Sequence, residues 1–381
     1  MLRNTGEYEK CFRRGSKDFY FFTFTPTPLM SGNFFDTDDE LLAMLVRTHR
    51  EIGILEGITR YHQDRSIIRD LMIMNECCYS YLIDHAGDSF YAFIKANSLS
   101  KEDAGNVRNI ISAYEFALSQ HVSTHSLSGV CKIALYGQES DDRVRERDKS
   151  IFLGRAVSNL KVYNPTAPEK ILPAIADIVA FLRNDEKTDI LAKVALAHYQ
   201  FEMIHPYECC NGIVGRTLIS MILHKYGIRA AAFLGLSEFL YYNKNDYFEI
   251  LRTTQYSGGY IALVKFFVRG IHESSKTAIN RIDRIIRIIA DDEAKIVACG
   301  ASAKKLEMVY DYFKSRIFSK VGMVSVDLGI SFNTTAKLVT ELCEMNILQL
   351  ENEQSRHRVF YYGRLFEALT CFDDEDIITD I

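Results

Sequence analysis

The chain has 381 residues, 48% apolar and 25% charged, with 24 Phe, 21 Tyr, no Trp and only 6 Pro. That balance excludes a disordered, collagen-like or membrane-spanning chain, and the length allows two or three domains that need no disulfide or metal staples. With 45 basic against 50 acidic side chains, the net charge of −5 provides no overall basic field for nucleic acid or anionic lipid.

The start, MLRNTGEYEKCFRRG, is charged and lacks an apolar core, which predicts no signal peptide and a cytoplasmic protein. Residues 19 to 35, FYFFTFTPTPLMSGNFF, place two prolines among many aromatics and predict an extended arm pressed on a core. From 38 to 117 the period turns helical. Leu41, Leu42, Leu45, Val46, His49, Ile52 and Leu55 recur at three- and four-residue steps, as do Ile67, Ile68, Leu71, Met72 and Asn75. GQESDDRVRERDKS then reads as a polar loop and SIFLGRAVSNLKVYNP as a short hairpin. The helical period returns over 171–182 and 190–204. Nine cysteines without a Cys-x-x-Cys spacing, including the vicinal pairs Cys77-Cys78 and Cys209-Cys210, read as reduced thiols used as small apolar residues.

The C-terminal third predicts a helix over 304–316 with Leu306, Val309, Tyr310 and Phe313 on one face. A short helix over 324–328 follows, then a turn at Gly329. A helix over 332–345 comes next, with Ala336, Val339, Leu342 and Cys343 inward. ILQLENEQSRHRVFYYG closes the region as two strands around a polar turn. Helix, helix–turn–helix and hairpin is the order of a winged helix. Arg281, Arg284 and Arg287 lie beside an isoleucine stripe and read as the wet face of an amphipathic helix. The end, DDEDIITDI, is an acidic tail.

Chemistry concentrates in HYQFEMIHPYECCNGIVGRTLISMILHKYG. Pro206 forces His205 out of helical geometry, so the helix over 190–204 stops there. Asn211-Gly212 marks a turn into the next helix, whose free N–H groups and dipole make an anion seat. Arg216, one turn in, adds a fixed charge with bidentate geometry for phosphate. His205 precedes the seat and can take a proton near neutral pH. A base beside a phosphate cradle points to phosphoryl or nucleotidyl transfer.

These residues resemble the Fic family, whose signature reads H-P-F-x-[D/E]-G-N-G-R-x-x-R. His205, Pro206, Tyr207 (aromatic for Phe), Asn211, Gly212 and Arg216 meet it; Cys209 replaces the acid, Cys210 the first Gly and Ile213 the first Arg. AHYQFEMIHP and SEFLYYNKNDYFEILRTTQ resemble the family's segments before the loop and after the second core helix. The resemblance implies a mainly α fold with a Fic-type helical core and a small β-hairpin flap around 152–162, joined here to a C-terminal winged helix. The expected limits are 1–120 for an N-terminal helical region, 121–275 for the core, 276–303 for a connecting helix, 304–372 for the winged helix and 373–381 for the tail.

The implied activity is transfer of AMP from ATP to a hydroxyl of a target protein. His205 would act as catalytic base, while Asn211, Gly212 and Arg216 hold the nucleotide phosphates. The family's inhibitory pattern [S/T]-x-x-x-E-[G/N] falls on Ser80, Asp84 and His85, which implies an Asp84–Arg216 pair in the resting state. Mg²⁺ would lack its usual ligand, because a neutral thiol at Cys209 is a poor magnesium donor. Losing an Arg aimed at transition-state charge costs about 10³–10⁵ in rate. A slowed transferase is therefore expected, against the alternative of a degenerate nucleotide-binding or DNA/protein-binding regulator.

Plainer readings stand beside these. His205 can be a buried boundary histidine, Asn211-Gly212 a bare turn, Arg216 a surface charge and Asp84 a helix-end carboxylate, while His205 and Cys209 can form a Cys–His pair. In the winged helix, Asn333, Thr334, Thr335, Lys337 and Thr340 could meet base edges, and Arg356, His357 and Arg358 make the wing basic. Glu341 and Glu344 oppose DNA, so protein contact or packing is favoured. The target protein stays unnamed, no membrane partner is expected, and a homo-oligomer is left open.

Overall fold

In a computed structural model of the chain, the described residues are 5–12, 20–62, 64–99, 105–138, 146–150, 153–154, 161–163, 165–351 and 358–370. Strands β1 (Gly6–Phe12) and β2 (Tyr20–Pro26) pair antiparallel, with Gly6 opposite Pro26. The stretch expected to be a lone extended arm is therefore the second strand of a hairpin. Its first proline ends the strand, where no ladder N–H is needed. Phe24 is wholly buried, and Thr166 donates to its carbonyl at 3.0 Å.

Helix α1 (Asp39–Arg60) starts where Asp38 accepts from the Leu41 N–H at 2.7 Å, with Asp39 and Glu40 favourably placed against the dipole. Helix α2 (Arg65–Asp84) is buried along most of its length. Helices α3 (Phe90–Leu99), α4 (Gly105–Ser119) and α5 (Thr124–Tyr136) follow, the last opened by a Ser123/Ser126 capping box and closed by left-handed Gly137. The short pair β3 (Leu153–Gly154) and β4 (Lys161–Tyr163) lies in the segment expected to form a hairpin.

Beyond α6 (Ile171–Asn184), two helices form the centre of the molecule. Helix α7 (Ile190–Ile204) is mostly apolar and buried from Leu191 to Ile204, its polar side chains Lys193, His198, Gln200 and Glu202 included. Helix α8 (Asn211–Lys225) packs on it and is buried from Ile213 to Leu223. Helices α9 (Leu236–Tyr242) and α10 (Lys244–Ser257) lead into α11 (Tyr260–Val297), 38 residues and about 57 Å long. The expected boundary at 275/276 falls inside this unbroken helix, whose buried side runs from Tyr260 to Ile296.

Arg281 is not on a wet face. It is 4% exposed and makes a bidentate pair with buried Glu238, at 2.7 and 2.9 Å. Arg287 fits the expectation better, exposed and paired with Asp283 one turn away.

The C-terminal region comprises α12 (Ala303–Arg316), β5 (Phe318–Lys320), α13 (Val321–Leu328), α14 (Phe332–Glu344), β6 (Gln349–Leu350), β7 (Val359–Tyr361) and α15 (Gly363–Thr370). β7 lies between β5 and β6, both antiparallel to it, so a third strand joins the expected two. Fully buried Asp292 of α11 ties this region to the body: Tyr362 donates to it at 2.7 Å and Arg364 at 2.7 Å. The wing tip with Arg356 and His357, and the tail over 373–381, lie outside the described residues.

Candidate active site

The site is a reversal of the chain between α7 and α8. His205 ends α7 in the left-handed region (φ 48°), because Pro206 cannot continue the helix. Cys210 also takes a left-handed φ (61°) and turns the chain into α8. The signature position filled by Cys210 calls for Gly because only Gly adopts that backbone without a Cβ penalty. Asn211 sits within the turn. Its Oδ1 accepts from the Tyr207 N–H at 2.9 Å and its amide donates to the Tyr207 carbonyl at 2.7 Å. The Asn211 side chain thus braces the loop. The start of α8 has no side-chain cap, so its first N–H groups face whatever anion approaches.

A carboxylate lies beside this helix start. The Asp84 carboxylate, at the last residue of α2, lies where a Cβ on Gly212 would meet it at 2.7 Å, with Arg216 Nη1 at 2.8 Å from the same point. Arg216 donates to Asp84 Oδ2 at 2.6 Å, to the Ser80 hydroxyl at 2.9 Å and to the Ser80 carbonyl at 2.7 Å. The structure therefore brings Ser80, Asp84, Gly212 and Arg216 into one contact across 132 residues of sequence. Burial by itself would lower the Arg216 guanidinium. Asp84, with Tyr247 and Glu202, outweighs that and holds its pKa above the ordinary arginine value. His85 stacks on Tyr81 with ring centroids 3.9 Å apart, away from the contact.

Beside the seat, burial pushes the His205 imidazole down to about 4, with Arg147 adding to the effect while Asp84 opposes it. The ring is neutral at pH 7, the form a base needs. Cys209 is exposed and burial raises its pKa, so it presents a neutral thiol rather than a thiolate. Among the described residues, no group of three His, Cys, Asp or Glu side chains could hold a metal. At the signature's acid position the loop offers the Cys209 thiol, a poor donor for magnesium.

Sequence reasoning missed the structural supports. Arg147, read as part of a polar loop, is 3% exposed. It donates to the carbonyls of His205 (2.8 Å), Ile204 (3.0 Å), Lys149 (3.0 Å) and Thr166. Its backbone N–H also donates to the Pro206 carbonyl at 2.9 Å. Four carbonyls around one guanidinium tie the end of α7 to the segments around Lys149 and Thr166. Burial lowers the Arg147 pKa to about 10, which still leaves it charged. On the far side of Arg216, buried His198 bridges the Gly215 carbonyl (2.9 Å) and the Tyr247 hydroxyl (2.8 Å), and Glu202 packs on Gly215. The available signal was His198 and Glu202, polar residues four apart on a mostly apolar helix.

Residues 118–223 match the family model described as the Fic/DOC family. A probable protein adenylyltransferase of Aquifex aeolicus is 33% identical over 108 residues, 28% of this chain and 31% of that protein. The protein adenylyltransferase fic-1 of Caenorhabditis briggsae is 38% identical over 84 residues, 21% of this chain and 15% of that protein. The chain thus spans a third or less of the length of these relatives. A crystal structure of a Fic family protein from Desulfovibrio desulfuricans G20 superposes with a TM-score of 0.56 at 16% identity, covering 87% of this chain and 98% of that one. That likeness is one of fold.

Proposed function

We propose that this chain, whose residues 118–223 match the Fic/DOC family, transfers AMP from ATP to a hydroxyl group of another protein, with Asp84 as a built-in latch. The observation that carries the reading is a carboxylate anion held at the uncapped start of α8 by Arg216, beside a neutral His205. A guanidinium that holds a carboxylate beside an uncapped helix start has the chemistry to take a phosphate.

In the reaction, His205 accepts the proton of the incoming hydroxyl. The hydroxyl oxygen bonds to the α-phosphorus of ATP as the bond from that phosphorus to the bridging oxygen breaks, and pyrophosphate leaves. Arg216 and the N–H groups around Gly212 bind the phosphates, while Arg147 and the Asn211 side chain keep the loop in shape. Asp84 must leave first, since its carboxylate and a phosphate compete for the same charge. It is well placed to leave: its side chain is 34% exposed, and Leu82 and His85 beside it line a cleft of about 740 Å³. The metal that usually accompanies ATP finds no carboxylate at Cys209, which supports a slow transferase.

Removing the latch tests this directly. Asp84→Ala should raise transfer of label from α-labelled ATP to protein by about tenfold or more, the equivalent of ~1.4 kcal/mol. The Asp84→Ala/His205→Ala double variant should bind ATP but transfer none. Measurable ATP binding with no label in Asp84→Ala would instead favour the degenerate regulator.

We read the C-terminal element order as a winged helix used for protein contact or packing. On α14, Thr335 is buried, while Phe332 (59%) and, just before it, Val326 (80%) are exposed apolar residues. That face suits a protein better than phosphate backbone.

A further inference from the structure

The outward face of α1 fits a second copy of itself, and we propose that the protein forms a two-fold homodimer through an antiparallel α1–α1 contact. Helix α1 turns Leu41, Leu45, Thr48, Ile52, Leu55 and Thr59 into the body. At about 100° per residue, another set falls within an arc of about 60° on the far side: Asp39, Leu42, Val46, Gly53, Gly57 and Arg60. Leu42 is 54% exposed and Val46 64%, large apolar side chains where a surface helix normally carries polar ones. Further along the same stripe, a Cβ on Gly53 or Gly57 would meet nothing within 4 Å. The stripe has two knobs in its first half and two notches in its second.

Such a stripe complements itself only when the two helices run in opposite directions. With the two-fold axis between His49 and Arg50, each position faces the one whose number completes 99, by the arithmetic of the sequence. Leu42 then lies over Gly57 of the second copy (42 + 57), Val46 over Gly53 (46 + 53), and Asp39 meets Arg60 (39 + 60). Every contact occurs twice, as an isologous interface requires. Parallel pairing would set knob on knob and Asp39 on Asp39. Charge on the rest of the helix is compatible. Lys265 takes Asp38 (2.7 Å) and Glu40 on another side of α1, leaving Asp39 on the stripe. His49 and Arg50, nearest the axis, are each answered within their own chain, by Asp189 at 2.9 Å and Glu51 at 3.3 Å. Glycines one and two turns from the crossing let the helix axes approach toward the short end of the usual 8–10 Å.

Sedimentation of the full chain at about 100 μM, enough to fill an interface with a Kd near ~1 μM, should give twice the monomer mass. The Gly53→Leu/Gly57→Leu variant fills both notches with side chains that meet nothing in their own protomer. It should be monomeric with its melting temperature intact. Asp39→Arg and Arg60→Asp should each weaken the dimer about tenfold, since each breaks a pair twice and sets like charges together. The double swap should restore the wild-type dissociation constant to within about twofold. A wild-type monomer at that concentration overturns the proposal. So does a dimer indifferent to the two leucines, or a charge swap that fails to restore affinity.

Discussion

At Cys210 the backbone takes a φ of 61°, a conformation that costs an L residue about 1–2 kcal/mol and glycine almost nothing. The turn is needed there because α7 and α8 must lie side by side with their ends joined by six residues, 205 to 210. Cys210 is also half-buried against the core, so part of the gain from replacing it is lost. Cys210→Gly should stabilise the fold by about 0.5–1 kcal/mol in urea unfolding; a net loss would mean that the thiol's packing outweighs the backbone strain. At this scale the sequence was informative where the signal was local. Pro206 announced the end of α7, and Asn211 beside Gly212 announced a turn. Arg147 gave no such signal, because its carbonyl partners at His205 and Ile204 come from a segment 57 and 58 positions away.

Among the elements, α8 carries the clearest test of packing against propensity. Gly215 lies in its interior, where Ala would ordinarily gain about 1 kcal/mol. A Cβ there would overlap the Glu202 carboxylate and stand 3.0 Å from Phe201 Cδ1, both on tightly packed α7. Gly215→Ala should therefore destabilise by about 1–3 kcal/mol. Gly322→Ala, in α13 with nothing within 4 Å, should stabilise by about 0.5–1 kcal/mol. Guanidinium midpoints of the two variants would check the opposite signs. Helical periods located α1, α6, α7 and α14 well, since burial of one face imposes the repeat. Pairing of β1 with β2 escaped the sequence reading because strand register depends on a partner, and aromatic residues near prolines do not name one. Arg281 escaped it for the same reason: an arginine in a polar-looking row reveals nothing of Glu238 facing it from α9.

For the whole molecule, the imidazoles of buried His198 and half-buried His205 make stability depend on pH. Burial pushes His198 down to about 3 and His205 down to about 4, both below the ordinary value of 6.5. In the unfolded chain each binds a proton near pH 6.5, while the folded protein refuses it. The contribution is thus present above pH 6.5 and is lost as pH falls from 6.5 toward 4, at up to about 1.4 kcal/mol per pH unit for each ring. His49, raised by its hydrogen bond to Asp189, works in the opposite direction. Subtracting the pH profile of His198→Gln from that of wild type isolates one buried ring. Equal urea midpoint slopes for the two between pH 6.5 and 4.5 would show that His198 is not held neutral by the fold. By itself the sequence determined a mainly helical chain, the break between α7 and α8, and a helix start suited to an anion, because apolar period, proline and glycine act over a few residues. Asp84 opposite Arg216 came from family resemblance, not from spacing. Only tertiary structure decided that the acid sits in the anion seat, that Arg147 and Asn211 hold the loop, and that Arg281 is buried. Such pairings join residues tens to hundreds of positions apart, and the packing of the elements between them, not the identity of either residue, decides whether they meet.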